Sequence, residues 1–159
     1  MRIAMQQHKQ LFDISKSVWQ SFSSQPLIEV NDAFEINSTL LLQWVYCHLS
    51  AKQVVMLGID QSAGYQLAAD MLNSSIDVIS EEDEQDAMIE LMNCICGLLD
   101  RDHPTDECFG LPKLVDPSGI QTLLSSLNKI SEVTANAGSK WFYIALFEDK
   151  SIDKYGAIE

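Results

Sequence analysis

The chain has 159 residues, which fits one domain and allows a second only as a tightly fused half. With 23 Asp and Glu against 10 Lys and Arg its formal net charge is −13. A surface this acidic repels nucleic-acid phosphates and anionic lipid, so neither nucleic acid nor a membrane surface is an expected partner. It does not exclude a phosphoprotein whose phosphate is chelated by its own metal. Apolar residues make up 47% of the chain, ample for a core. No apolar run reaches the roughly 18 residues of a spanning helix. The opening "MRIAMQQHKQ" lacks the apolar segment of a signal peptide, so a cytoplasmic chain with reduced cysteines is expected.

In chain order, Leu11, Ile14, Val18 and Phe22 lie at helical spacing and predict a helix over 7–22, with residues 1–10 loose ahead of it. Pro26 ends that helix, and a short strand is expected at 27–30. The Val-, Leu- and aromatic-rich runs at 39–49 and 53–59 are joined by "SAK" and read as an antiparallel hairpin with both faces covered. Asp60 is placed to cap a helix ending near Leu72. After the loop "NSSIDVIS", Ser80 with Asp83 three residues on opens a helix over 81–100, acids filling its first turn. A loop "RDHPTDEC" leads to "FGLPKLV", read as a short edge strand because Pro112 cannot donate to a ladder. Asp116-Pro117 predicts a helix through Lys129. A closing hairpin ends in "KWFYIALFE", and residues 150–159 read as a loose tail. Hairpins separated by helices, without a Pro/Gly/Ser linker, predict one α+β domain over 1–159: an antiparallel β-sheet with helices packed on one face.

The helix over 81–100 carries the most information. At about 100° per residue, Asp83, Glu90, Asn93, Gly97 and Asp100 fall within about 60° of Asp86, while Met88, Leu91, Ile95, Leu98 and Leu99 fall opposite. Glu90 and Asn93, three apart, must be surface neighbours. A mid-helix Gly costs about 1 kcal/mol relative to Ala, and Gly97 would let another surface approach closely. On periodicity alone the stripe reads first as a solvated face with Gly97 packed against a loop. Cys94, Cys96, His103 and Cys108 lie close in sequence. Cys94 and Cys96 nevertheless point about 200° apart on a helix, so no metal site is expected. His8, His48 and His103 stand in no motif, and there is no phosphate-binding loop.

Asp86, Glu90, Asn93 and Gly97, followed by Pro112 in "GLPKLV", form a pattern that resembles the CheC/CheX/FliY family of chemotaxis phosphatases, the CheX branch most closely. The resemblance is carried by residues 38–115, with the hairpin at 140–148 consistent. It implies a pseudo-symmetric CheC/CheX-like architecture, a homodimer paired through the sheets, and hydrolysis of the aspartyl phosphate on a CheY-like receiver domain. It implies that Asn93 orients the attacking water and that Glu90 docks against the receiver's Lys. Asp86, Gly97 and Pro112 would shape the partner-binding surface. The protein would need no cofactor of its own, because Mg²⁺ comes with the phosphorylated receiver. An acyl phosphate is already activated, so positioning and charge stabilisation suffice. A carboxylate with an amide suits this better than two carboxylates, since a second anion would oppose attack on the phosphoryl group.

The sequence departs from the family in two places. Only 18 residues separate Asn93 from Pro112, fewer than in the family, and an added helix is expected from Pro117. The alternative is therefore a non-catalytic module of the same fold that binds a receiver or another signalling protein. The first helix repeats the stride, with Asp13, Ser17 and Gln20 at the spacing of Asp86, Glu90 and Asn93. Its Ser in place of Glu reads as an inactive copy.

Overall fold

The computed structural model describes residues 2–31, 42–49, 52–101 and 110–149. Helix α1 (Arg2–Phe22) leads to strand β1 (Leu27–Glu29), then to the hairpin β2 (Leu42–Leu49) and β3 (Gln53–Asp60). Helix α2 (Gln61–Leu72) follows, then a single 3₁₀ turn (Ile76–Val78), and helix α3 (Glu81–Arg101). Strand β4 (Lys113–Val115), a second 3₁₀ turn (Pro117–Gly119), the short helix α4 (Ile120–Ser125) and the hairpin β5 (Leu127–Ala137) and β6 (Lys140–Asp149) complete the fold. The six strands form one antiparallel sheet in the order β1-β5-β6-β3-β2-β4. The α+β class is as expected, and the long helices share one face.

Strand alternation decides which side chain meets which helix. Val45, Cys47, Val55, Leu57, Phe142, Ile144 and Leu146 point to the face covered by α1, α2 and α3. Leu42, Trp44, Val54, Met56, Tyr143, Ala145 and Phe147 point the other way, where Ile120 of α4 joins them. The two faces of β2 are both covered, as the largely apolar character of both its faces implied. Each fully buried Leu, Met or Phe contributes about 1.5–3 kcal/mol, so the two layers hold the sheet from both sides.

Caps fix the helix starts. The Asp60 carboxylate accepts from the Ser62 N–H at 3.0 Å and opens α2. Ser80 and Asp83 exchange hydrogen bonds at the start of α3: Asp83 N–H donates to Ser80 Oγ at 3.1 Å, and Ser80 N–H donates to Asp83 Oδ2 at 2.9 Å. The β5–β6 turn uses Gly138 at φ 65°, a left-handed angle that suits glycine.

Three expectations need correction. The helix expected over 7–22 starts at Arg2, so the terminus over 1–10, read as loose, is helical from Arg2 on, anchored where His8 Nε2 meets Glu29 Oε2 of β1 at 2.6 Å. The helix expected through Lys129 stops at Ser125, and Lys129 lies in β5. Leu127–Lys129 instead pair with Phe147–Asp149, so ladder hydrogen bonds override the local helical spacing. Asp116 still caps as expected, accepting from Ser118 N–H at 3.0 Å, but it caps the 3₁₀ turn. The strand expected at 27–30 ends at Glu29. The loop "RDHPTDEC", apart from Arg101, and the tail from residue 150 lie outside the described residues.

Candidate functional site

Helix α3 is held by its inner face. Ala87, Met88, Leu91, Met92, Ile95, Cys96 and Leu99 are all buried between the sheet and the other helices. That fixes the rotation of the helix and therefore what its outer face presents. Asp86 and Glu90 are exposed, while Asn93 and Gly97 are half-buried further along the stripe. The structure thus brings four of the five candidate residues onto one side of one helix. The fifth, Pro112, is on another element. It is buried just ahead of β4, the edge strand that pairs with β2 and packs on α3.

A residue that the sequence reading left among core and flank positions stands beside Glu90. The Cys94 thiol, half-buried one turn on, donates to Glu90 Oε1 at 3.5 Å. Burial raises the Cys94 pKa, and the Glu90 carboxylate raises it further, so the thiol stays protonated as a donor. The signal was present, since residues four apart face each other on a helix. Cys96, two residues on, turns inward as expected. It hydrogen-bonds Cys47 of β2, and that contact with burial holds its pKa well above the ordinary thiol value. The Cys47 thiol donates to the Gly110 carbonyl at 3.2 Å, and Gly110 N–H donates to the His48 carbonyl at 2.7 Å. The path into Pro112 is in this way tied to β2, beneath the motif helix. His103 and Cys108 lie outside the described residues.

The related stripe on α1 also faces outward. Asp13, Ser17 and Gln20 are exposed, while Leu11, Val18 and Trp19 of the same helix are buried. A cleft of about 260 Å³ opens elsewhere, between the end of α1, the start of α2 and the β5–β6 turn. Trp19, Gln25, Ser62, Gln66 and Lys140 are among its walls, and α3 contributes nothing to it. Among the described residues, the outward stripe of α3 lies on the surface of the molecule.

Helices α1, α2 and α3 on one face of a six-stranded antiparallel sheet make a fold of the CheC/CheX/FliY type. Among solved structures, the chain is similar to the chemotaxis protein CheX from Vibrio vulnificus, at 12% identity over 87% of this chain and 93% of that one, with a TM-score of 0.61. It is also similar to the structure of the CheX–CheY–BeF₃–Mg²⁺ complex from Borrelia burgdorferi, at 13% identity over 89% and 97%, TM-score 0.63. A CheC-like superfamily protein from Shewanella matches at 14% identity over 87% and 94%, TM-score 0.57. No family model and no curated protein matches the sequence. No helix among the described residues is long and apolar enough to cross a membrane.

Proposed function

We propose that this protein hydrolyses the aspartyl phosphate of a CheY-like receiver domain. The observation that carries the reading is the pair Glu90 and Asn93, side by side on the outward face of a helix fixed by its buried face. The shared fold supports it, because one neighbour of that fold was solved as a complex of CheX with CheY, BeF₃ and Mg²⁺. In this reading Glu90 makes a charge-assisted contact with the receiver's Lys and sets the register. The Asn93 amide then hydrogen-bonds a water in line with the leaving carboxylate. Asp86 extends the acidic docking surface and Gly97 gives the partner room. Pro112, being buried, shapes the rim from beneath. The Mg²⁺ belongs to the receiver and supplies charge neutralisation at the phosphoryl oxygens. A cytoplasmic homodimer, paired through the sheets, belongs to the same proposal.

The second reading, a binding module without hydrolysis, is favoured by the half-burial of Asn93 and by the short path of 18 residues to Pro112. Phosphate release from a phosphorylated receiver domain separates the two. The proposal expects release well above the receiver's own rate when this protein is added. Binding with no acceleration would select the second reading.

A further inference from the structure

One acid of α3 is not on its surface. Glu84, in the first turns of the helix, is 0% exposed, and among the described residues neither of its carboxylate oxygens has a hydrogen-bond partner. It lies against the first turns of α2. A Cβ added at Gly64 would stand 2.6 Å from Glu84 Oε1 and 3.1 Å from its Cγ, so the glycine is what makes room for the side chain. A buried carboxylate without a partner is costly, whereas the protonated acid is an uncharged group that packing can hold.

Among the described residues, the buried faces packed around it offer no counter-charge. The buried face of α2 is Ala63, Gly64, Leu67, Ala68 and Ala69. That of α1 is Leu11, Ser15, Val18 and Trp19, while β2 contributes Val45, Cys47 and Leu49. The Cys47 thiol is engaged by Cys96, twelve residues along α3 from Glu84. The Lys and Arg side chains of α1 and β4, namely Arg2, Lys9, Lys16 and Lys113, are exposed, as is Arg101 at the far end of α3. The charge that acts on Glu84 is that of Glu81, one turn earlier, and it repels.

We propose that Glu84 is a proton-operated latch between α2 and α3. As the neutral acid it packs against Gly64 and closes the start of α3 onto α2. As the carboxylate it must reach water, and it does so by loosening the first turns of α3 and the segment 73–80 that leads into them. Burial, with the repulsion of Glu81, brings its pKa up to about 7, so the latch works across the neutral range. The helix it loosens carries Asp86 two residues on and Glu90 six on. The inference itself stands without the phosphatase reading.

Two measurements on the full chain test it: titration of the Glu84 side-chain carboxyl by NMR, and amide exchange over residues 80–90 divided by the intrinsic rate at each pH. A carboxyl with an ordinary value when open and about 7 when closed predicts that corrected exchange rises about tenfold from pH 6 to pH 8. The isosteric Glu84→Gln should remove the rise, and Gly64→Ala should give fast exchange already at pH 6. A Glu84 carboxyl that titrates among the exposed acids would overturn the latch. So would a Glu84→Gln chain that keeps the tenfold rise.

Discussion

The two long helices α1 and α3 are each 21 residues, and each buries one face against the same side of the sheet. Their outward stripes follow one stride: Asp13, Ser17 and Gln20 on α1, Asp86, Glu90 and Asn93 on α3. What separates them is chemistry, not architecture. Only α3 sets a carboxylate beside a short amide, and only there does a thiol hold the carboxylate from one turn away. The inward faces differ as well. Two residues before the first acid, α1 buries Leu11 and α3 buries Glu84. A helix of this fold thus presents a polar stripe whether or not it works as a site. The proposed activity lives in two side chains, and the proposed latch in one.

The largest effect should come from Asn93→Ala. Losing the group that orients water is expected to lower receiver dephosphorylation by about 100-fold or more. Circular dichroism and melting should stay unchanged, since Asn93 lies off the buried face. Gln20→Ala, the matching change on α1, should leave the rate within about twofold. Next is Glu90→Ala, expected to weaken binding of a beryllofluoride-loaded receiver about tenfold by titration calorimetry, with less effect on turnover at saturation.

Glu84→Gln tests the inward contrast. The folded pKa of Glu84 is raised above its ordinary value, so its contribution to stability is full in acid and is lost as pH rises through about 7. Urea midpoints of the wild type should therefore fall between pH 5 and pH 8 by more than those of Glu84→Gln. The smallest effect is Cys94→Ala, expected to weaken receiver binding about two- to threefold by freeing the Glu90 carboxylate, with Cys94→Ser restoring it.

Much of this contrast was legible in the residues. The Ser80–Asp83 capping box, the Asp60 cap and the alternation from Trp141 to Phe147 marked elements that the structure contains. The outward stripe of α3 followed from its 3.6-residue period. The start of α1 was missed because its first turn carries no acidic residues. The end of α4 was missed because Leu123, Leu124 and Leu127 keep helical spacing, while the partners of Leu127–Lys129 lie at the open end of the β5–β6 hairpin, on Phe147–Asp149. Glu84 was counted with the first-turn acids, although its spacing to Ala87, Met88 and Leu91 places it on the buried face. Charge suggested solvent there and period suggested the interior, and period was right.

The most direct test of the central claim is single-turnover loss of phosphate from a phosphorylated receiver domain mixed with wild-type, Asn93→Ala or Gln20→Ala protein. Wild type and Gln20→Ala are expected to accelerate the loss alike, while Asn93→Ala leaves the receiver at its own rate. Acceleration by Asn93→Ala equal to wild type, or no acceleration by wild type, would contradict that claim.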